Sequence, residues 1–414
     1  MAERGPLLGA TLELDVGTVA HGGSCVARHE GRAVFVRHAL PGERVRALVT
    51  EDRGGGYCFA DAVEVLAASP ERVEPPCPYA GPGRCGGCDW QHASAPAQRD
   101  LKASVVREQF TRLAHLDVSD LLEGVEELPG GLLGWRTRNV YAVDRGGHPG
   151  LRRHRSHEIE PIDRCLIGAE HVGNAAALGD TWAGLSGIEV ARGAEEDTTL
   201  LAHRPGPGRQ SRGRRPPDRV RVVTGPSTLH HRALGRDFEV EAGGFWQVHP
   251  AAADAFARAL LDTVQPEPGE TAVDLYCGAG ALTAALAVAV GASGSVVGIE
   301  SSVRAVADAT ANLADLPQAS VRLERVTPTV LAALDVAPDV VVLDPPRAGA
   351  GREVMTALLA LHPRTVGYVA CDPAALARDV ATAVTSGWRL SALRAFDAFP
   401  MTHHVECVAR LDPA

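Results

Sequence analysis

Lysine is nearly absent from this chain, so arginine carries almost all of its positive charge. Alanine, glycine and valine are abundant, which indicates a compositional bias and makes arginine content by itself weak support for any function. Lysine and arginine number 41 against 51 aspartates and glutamates, a net charge of −10. That balance argues against a protein that adheres to nucleic acid over its whole surface, although it allows a local basic cleft.

Long apolar segments are also missing. No uninterrupted apolar run reaches the roughly 18 residues that suggest a membrane-spanning helix, and the first residues do not resemble a signal peptide. We therefore expect a soluble, cytoplasmic, monomeric protein without a membrane partner. Its 414 residues are enough for two or three domains. Nine cysteines, several of them clustered, favour a metal site and reactive thiols over a disulfide framework.

A strand, a glycine turn and a helix are predicted over residues 271–283, TAVDLYCGAGALT. The apolar run ends in Asp274, and Gly278 and Gly280 follow before an alanine- and leucine-rich helix. Such a turn lets the backbone approach a ligand at the carboxyl end of a strand. The turn has two glycines rather than the three of a dinucleotide fingerprint. It therefore predicts a nucleotide-binding α/β sheet and does not identify the ligand.

Later strands of this predicted sheet also end in reactive or acidic residues. Glu300 ends the next strand, about 20 residues after the turn, where a carboxylate suits hydrogen bonding to a ribose diol. Asp344 and Cys371 follow two further apolar runs. Because ligands bind at the carboxyl ends of parallel strands, we expect these residues and Asp274 to form one site on one rim.

Cys371 is the candidate nucleophile among the cysteines of this region, and a residue that only packs in the core is the alternative. Cys371 leaves a buried strand just before a helix that begins near Pro373. The positive end of that helix is predicted to lower the pKa of the thiol and to favour thiolate. Cys277 and Cys407 are interpreted as small apolar packing residues. Glu406 is predicted to lie inside a closing strand from 403 to 410.

The first 68 residues predict a small β-barrel. Short β-type runs alternate with glycine turns from about Thr11 to Leu66, a pattern typical of an OB-type barrel, which is a common nucleic-acid platform. A structural β-module without a ligand is the alternative.

A cysteine cluster follows the barrel. Cys77, Cys85 and Cys88 are separated by glycine turns, and Cys165 lies farther along the chain. Four thiolates can complete a tetrahedral sulfur site for zinc or an iron–sulfur cluster, and the spacing does not choose between them. Four unliganded thiols are the remaining alternative.

The region between the cysteine cluster and the α/β sheet contains three further features. Residues 94–116 are predicted to form an amphipathic packing helix. Residues 135–157 combine six arginines with Trp135, Tyr141 and three histidines, so they are predicted to contact phosphates and to stack on an unpaired base, unless they form only a solvated basic face. Residues 204–221 contain seven arginines and have the composition of a disordered loop.

Five motifs resemble, in their order, those of bacterial uracil-5 RNA methyltransferases. They are GFWQ at 244–247, DLYCGAG at 274–280, DPPRAG at 344–349, YVACDP at 368–373 and HVE at 404–406. The start of the chain resembles the TRAM domain, an RNA-binding barrel. The four-cysteine cluster resembles the one found in the branch of this family that modifies ribosomal RNA. The resemblance implies methyl transfer from S-adenosylmethionine to C5 of a uridine in ribosomal RNA or tRNA.

The resemblance also implies a role for individual residues. Cys371 would be the nucleophile and Glu406 the base. Four residues would line the cofactor and uracil pocket, namely Gln247, Tyr276, Glu300 and Asp344. The cysteines 77, 85, 88 and 165 would hold a 4Fe-4S cluster, with zinc as the alternative occupant.

The expected architecture is α/β, with a Rossmann-like class I S-adenosylmethionine methyltransferase domain over residues 239–414. An OB-like TRAM barrel would occupy 1–68, and a small α+β RNA-binding domain with the cysteine site would occupy 69–238. Helix 94–116 would pack on the catalytic domain.

The sequence departs from the family at four points. His249 and Asp372 stand where asparagine is common, Ala281 replaces an asparagine after the glycine turn, and the gap from Cys77 to Cys85 is longer than usual. Two other functions stay open: a catalytically silent RNA-binding or ribosome-assembly factor, and an amino-methylating enzyme acting on DNA or protein through Asp344-Pro-Pro-Arg347.

Overall fold

A computed structural model of the protein describes residues 7–195, 197–206 and 218–414. Within these ranges, no helix combines the length and the apolarity that crossing a bilayer would require. The described chain contains a closed barrel, a six-stranded sheet, a hairpin and an eight-stranded α/β sheet.

The N-terminal barrel has the strand order β1-β2-β3-β5-β4. Side chains alternate over the first seven residues of β1, where Leu12, Leu14 and Val16 point into the barrel core and their neighbours point to solvent, and the register shifts between Val16 and Val19. This period of two is what a half-buried strand requires, and the predicted barrel is confirmed. The strands are β1 (Thr11–Val19), β2 (Cys25–His29), β3 (Arg32–Arg37), β4 (Arg44–Glu51) and β5 (Tyr57–Ala67).

A single helix links the barrel to the α/β sheet. Helix α1 (Ala95–Gln109) begins at the N-cap Ser94, whose hydroxyl accepts a hydrogen bond from the Ala97 N–H at 3.3 Å, and it continues as a π-helical turn through Phe110–Ala114. Leu101 packs in the barrel core, whereas Phe110 packs in the core beneath the α/β sheet. The helix therefore fixes the barrel against the sheet.

The central six-stranded sheet has the order β12-β11-β10-β7-β8-β9, and neighbouring strands are antiparallel. Of the segment predicted to be a disordered loop, residues 207–217 lie outside the described residues. The prediction was wrong at its ends, because Arg204 closes β11 and Arg219 and Arg221 lie in β12. The strands are β7 (Arg138–Val143), β8 (Pro149–Arg152), β9 (Ile159–Pro161), β10 (Gly187–Arg192), β11 (Thr198–Arg204) and β12 (Arg219–Thr224), and the short β6 (Val125–Glu127) joins the α/β sheet instead.

The eight-stranded sheet has the order β17-β16-β15-β18-β19-β21-β20-β6. Its first five strands are parallel, and β21 runs antiparallel between β19 and β20. Helices cover both faces, so β18 is buried along its whole length. Two elements come before β15 in the chain, the hairpin of β13 (Thr228–Ala233) and β14 (Arg236–Glu241) and helix α2 (Ala252–Val264). The strands are β15 (Thr271–Leu275), β16 (Ser295–Glu300), β17 (Ala319–Leu323), β18 (Val340–Leu343), β19 (Thr365–Ala370), β20 (Trp388–Asp397) and β21 (Glu406–Pro413). The helices are α3 (Ala281–Val290), α4 (Val303–Asn312), α5 (Pro328–Ala332), α6 (Arg352–Leu359) and α7 (Pro373–Thr385).

This architecture confirms the predicted Rossmann-like fold and corrects the place of Glu406. The closing strand begins at Glu406 and not at residue 403. Because β21 is antiparallel to β19, its first residue lies beside the carboxyl end of β19. Glu406 is thereby brought to the rim where ligands of such sheets bind.

Candidate active site

Cys371 and Glu406 lie side by side at this rim. Ala370, the last residue of β19, is directly opposite Cys407 of β21. The next residue outward on each chain is Cys371 on one side and Glu406 on the other. Directly opposed residues of antiparallel strands have Cα atoms about 4.5–5.5 Å apart, and the two side chains influence each other electrostatically. Cys371 is half-buried, while Glu406 is only 2% exposed.

Asp344 and Arg347 complete the charged surroundings of this pair. Asp344 directly follows β18, the neighbour of β19. Burial raises the pKa of Asp344 to about 7. Burial, reinforced by Asp344 and opposed by Arg347, raises the pKa of Glu406 well above its usual range. Burial therefore disfavours the ionised form of both carboxyl groups.

The pKa expected for Cys371 was wrong in direction. Burial raises the pKa of the thiol to about 12, and Glu406 and Asp344 reinforce the shift, while Arg347 opposes it. A helix N-terminus contributes only about 0.3–1 kcal/mol at exposed positions. That contribution is too small to offset the cost of an anion in a buried site beside two acidic groups. The free protein consequently holds Cys371 as a thiol.

The glycine turn forms the neighbouring part of the rim. Tyr276, Gly278 and Gly280 all have positive φ values, of 66°, 54° and 89°, which reverse the chain before α3. The carboxylate of Glu300 accepts hydrogen bonds from the N–H of Gly278 at 3.3 Å and from that of Ser302 at 2.7 Å. Glu300 and Tyr276 are both half-buried. Glu300 thus lies at the end of its strand, as predicted, and contacts the glycine turn directly.

Asp274 does not face the open rim as expected. It is the penultimate residue of β15 and is fully buried. Its carboxylate accepts a 2.6 Å hydrogen bond from the Thr283 hydroxyl, and burial raises its pKa to about 7. Asp274 therefore ties α3 to the strand beneath the glycine turn and does not present a free carboxylate.

Gln247 lies in the connection between β14 and α2. Its neighbours are anchored on both sides, because Trp246 stacks on His231 at 4.8 Å and the carbonyl of Val248 accepts hydrogen bonds from the N–H and the hydroxyl of Thr137 at 2.8 and 2.9 Å. Gln247 itself is half-buried. His249, one of the departures from the family, is buried against Trp135, with ring centroids 5.9 Å apart.

Sequence reasoning missed the residues that hold the loop leading to Glu406. Asp89 accepts hydrogen bonds from the backbone N–H and Nδ1 of His403, at 3.1 and 2.7 Å. Gln98 accepts one from the Met401 N–H at 2.7 Å. Lys102 donates to the Phe399 carbonyl at 3.0 Å and pairs with the Asp397 carboxylate. The side chains of Asp89, Gln98 and Lys102 are buried.

A signal for two of these residues is present in the sequence. Gln98 and Lys102 are four residues apart on α1, so they share a face with the apolar Leu101 and Val105. Polar side chains on a core-facing helical stripe need partners. Lys102 is also the single lysine of the chain. The partner loop, however, lies about 300 residues away in sequence, and only the fold identifies it.

The barrel also reaches the loop that carries Cys371. His21 Nε2 lies 3.1 Å from an Asp372 carboxylate oxygen, and the other oxygen caps α7 by accepting from the Ala375 N–H at 2.7 Å. Gly23 packs so closely on His403 that an added Cβ would lie 2.9 Å from the His403 Cβ. The aspartate at 372, a departure from the family, thus has a partner on the barrel.

The four cysteines predicted to bind a metal line one cavity together with Leu151, Ile162 and Ile167. All four are partly exposed thiols, and burial raises the pKa of Cys85 to about 11. Across the ranges that the structure describes, no group of three or more histidine, cysteine or acidic side chains has an arrangement that could hold a metal ion. The structure therefore brings the cysteines around one space and does not show a metal centre.

The expected stacking role of the aromatic residues in the basic segment was wrong. Trp135 and Tyr141 are buried, and the Tyr141 hydroxyl donates a 2.6 Å hydrogen bond to the Val172 carbonyl. Tyr141 adds to the core of the central sheet, whereas Trp135 packs with Ile167 and with Met401 of the loop before β21. Arg138 pairs with Glu189 rather than standing free for phosphate.

Comparison with family models identifies three matching segments. Residues 7–63 match the TRAM domain, residues 248–364 match the methyltransferase small domain, and residues 329–412 match the tRNA (uracil-5-)-methyltransferase model. The last segment contains both Cys371 and Glu406.

Whole-chain relatives agree with these matches. The chain is 47% identical to an uncharacterized RNA methyltransferase of Streptomyces avermitilis, with 98% of this chain and 99% of that protein covered. It is 48% identical to one from Streptomyces coelicolor, at 99% and 94% coverage. In fold it is similar to the Pyrococcus abyssi tRNA (uracil-54, C5)-methyltransferase in complex with S-adenosyl-L-homocysteine, with a TM-score of 0.70, 20% identity, and 97% and 100% of the chains covered.

Proposed function

Because this chain belongs to the TRAM-containing RNA methyltransferases of the uracil-5 class, we propose that it methylates C5 of a uridine through a covalent adduct with Cys371. The methyl donor of this class is S-adenosylmethionine, and the substrate we infer is ribosomal RNA or tRNA. The observation that carries the proposal is the pairing of Ala370 with Cys407, which sets a thiol beside a buried carboxyl group. A protein that only binds RNA needs neither group, and an amino-methylating enzyme needs no cysteine.

The proposed reaction follows from the weakness of uracil C5 as a nucleophile. The Cys371 thiol first releases its proton to solvent, the thiolate Sγ adds to C6, and the electron pair of the C5–C6 double bond makes C5 enolate-like. S-Adenosylmethionine supplies the methyl group, which C5 takes as the sulfonium becomes a thioether. Glu406 then removes the C5 proton, the double bond re-forms and the C6–S bond breaks to release Cys371. A base stacked in an RNA helix cannot reach this rim, so the uridine must first leave its stack.

The other predicted residues are proposed to hold the two substrates. Glu300 and Tyr276, beside the glycine turn, would bind the cofactor, since the Glu300 carboxylate is already fixed by the Gly278 N–H. Asp344 and Gln247 would bind the polar edge of the uracil. A protonated Asp344 can donate a hydrogen bond as well as accept one, which is consistent with the pKa raised to about 7 by its burial.

Two variants test the covalent step. RNA from a strain lacking the protein is incubated with labelled S-adenosylmethionine, and the modified nucleoside and its position are mapped. Cys371→Ala is expected to abolish methyl transfer while cofactor affinity, measured by calorimetry, stays near that of the wild type. Glu406→Gln is expected to accumulate an RNA adduct that survives denaturing electrophoresis. Undiminished turnover by Cys371→Ala would refute the mechanism, and the absence of a retarded band would argue against Glu406 as the base.

The cysteine cavity is proposed to hold a 4Fe-4S cluster, with zinc as the alternative. Its support is that Cys77, Cys85, Cys88 and Cys165 line one space, and thiolates are the ligands that both occupants take. The group would be structural, and no step of the reaction uses it. Anaerobically purified protein is expected to be brown, and Cys88→Ser to lose the colour. Colourless protein with stoichiometric zinc would decide for zinc.

A further inference from the structure

Three aromatic side chains form a cluster on the outer surface of the barrel. Phe35 lies on β3, and Tyr57 and Phe59 lie on the adjacent, parallel β5. The Phe35 and Phe59 rings stack with centroids 5.4 Å apart, and Tyr57 meets them edge-on at 5.8 and 5.7 Å. We call this group the aromatic triad.

The triad is not part of the barrel core. Along β3 and β5 the residues between the aromatic ones, such as Val34, Val36 and Cys58, are buried inside the barrel. Phe35 and Phe59 are half-exposed, and Tyr57 is 55% exposed. Large apolar groups clustered on an outer face commonly mark a binding surface.

Arginines surround the triad. Arg155, from the turn between β8 and β9, lies over the Phe59 ring with its Cζ 4.0 Å from the centroid. Arg28 on β2 is exposed and opposes Ala33, which in turn opposes Tyr57. The side chain of Arg53 is 88% exposed, and Glu51 pairs with both Arg53 and Arg155. The partly buried Asp61 lies on the same face of β5 as Phe59, so three arginines outnumber two carboxylates on this rim, whereas the whole chain is acidic.

Short contacts connect the triad to the catalytic loop. The turn that carries Arg155 is hydrogen-bonded to the segment that contains Cys85 and Cys88. Arg153 forms an isolated antiparallel β-bridge with Cys85, and the Gly86 N–H donates to the Arg152 carbonyl at 3.0 Å. That segment continues directly to Asp89, which holds His403 close to Glu406. The triad is therefore fixed, through a short series of contacts, relative to the proposed reaction centre.

We propose that the aromatic triad is a stacking platform for unpaired bases of the substrate RNA, with Arg28, Arg53 and Arg155 contacting the adjoining phosphates. The proposal rests on the proposed function and adds where the flanking strand binds. Flat rings accept any base, and a basic rim suits a polyanion. OB-type barrels bind oligonucleotides on the face of their second and third strands, and Phe35 lies on β3. A protein partner or a second copy of this chain has no such need for a basic rim.

The test measures binding of a labelled oligouridylate of about 12 nucleotides, within the site size of an OB barrel. Tyr57→Ala is expected to weaken its affinity about 5- to 100-fold, the usual loss for one stacked base. Tyr57→Trp should retain the affinity, because it keeps a ring. Leu323→Ala is the matched control, since Leu323 is a similarly exposed apolar side chain on β17; it should leave the affinity unchanged.

Salt dependence and self-association separate stacking from other roles. Tyr57→Ala should keep the wild-type slope of affinity against salt concentration, because no phosphate contact is removed, and it should keep cofactor affinity and the thermal midpoint. Unchanged oligouridylate binding by Tyr57→Ala would overturn the platform, as would an equal loss in Leu323→Ala. A change of mass in light scattering with unchanged RNA binding would also overturn it and would assign the face to self-association. Loss of methyl transfer in Cys371→Ala is a separate result, so the two proposals can fail independently.

Discussion

Replacing Lys102 by methionine should disturb both the stability of the protein and the position of Glu406, its proposed catalytic base. The Lys102 ammonium is fully buried between the Asp397 carboxylate and the Phe399 carbonyl. Burial lowers the pKa of Lys102, and Asp397 opposes that shift. Methionine preserves much of the volume and apolar stem but removes the charge, leaving Asp397 buried without its cation.

The expected magnitude follows from this burial. Removing one partner of a buried ion pair typically costs about 3–5 kcal/mol, whereas replacing both partners with apolar groups is often neutral. Lys102→Met should therefore lower the free energy of unfolding by about 3–5 kcal/mol. The double variant Lys102→Met with Asp397→Leu should recover most of that loss. In both variants the Phe399 carbonyl loses its hydrogen bond from α1 and keeps only the local ones from Thr402, so the loop before Glu406 should be less well fixed.

The assay combines urea unfolding followed by circular dichroism with single-turnover methylation. Arg394→Met is a matched control, because Arg394 on the neighbouring surface of β20 forms an exposed pair with Glu126 at 2.8 Å; its loss should cost less than about 1 kcal/mol. A misplaced base should slow release of the RNA adduct, and a displacement of about 1 Å can cost roughly 100-fold in rate.

Two results would refute this reasoning. If Lys102→Met unfolds within about 1 kcal/mol of the wild type, the buried charge is not paired as described. If the double variant is as unstable as the single one, the loss does not come from an unpaired Asp397. Wild-type adduct kinetics in the stable double variant would show that the Phe399 contact does not position Glu406.

Three further outcomes are expected. Burial raises the pKa of Asp274 to about 7, so the native state keeps a proton that the unfolded chain releases above about pH 4. The contribution of Asp274 to the unfolding free energy should therefore fall between about pH 4 and 7. In urea titrations across that range, the unfolding free energy of the wild type minus that of Asp274→Asn should decrease as pH rises. Iodoacetamide should alkylate Cys371 slowly at neutral pH and faster as pH rises, because burial raises the pKa of the Cys371 thiol to about 12. Peptide mass spectrometry detects the modification, and rapid modification at pH 7 would contradict the burial argument. Asp372→Ala removes both the cap of α7 and the pair with His21, whereas His21→Ala removes only the pair. Asp372→Ala should therefore lower the free energy of unfolding in urea by about 1 kcal/mol more than His21→Ala does. Equal losses would show that the cap contributes nothing.

Much of the α/β unit could be predicted because its signals are local. The strand, glycine turn and helix around Gly278 depend on residues within a few positions of one another, and the period of two in β1 marks the barrel strand by strand. The order of strands and motifs then brings Glu300, Asp344 and Cys371 to one rim by the ordinary rule for parallel sheets. The family match to residues 329–412 agrees with this interpretation.

Features that depend on contacts between distant segments could not be predicted. Whether Trp135 and Tyr141 face solvent or the core is decided by how the central sheet packs, and they are buried. The pKa of Cys371 was expected to fall because only the helix terminus is visible in sequence. The two acidic groups and the burial that raise it come from other segments of the fold.

The sequence by itself determined the classes of element and singled out the side chains proposed to react, because backbone preferences and apolar periodicity act over a few residues. The tertiary structure alone decided that Glu406 begins the last strand beside Cys371, and that Asp89, Gln98 and Lys102 hold the loop before it. Those contacts join segments about 300 residues apart, and their energies exist only once the barrel, helix α1 and the sheet have packed together. Local patterns therefore single out the groups proposed to react, and packing sets their geometry and protonation.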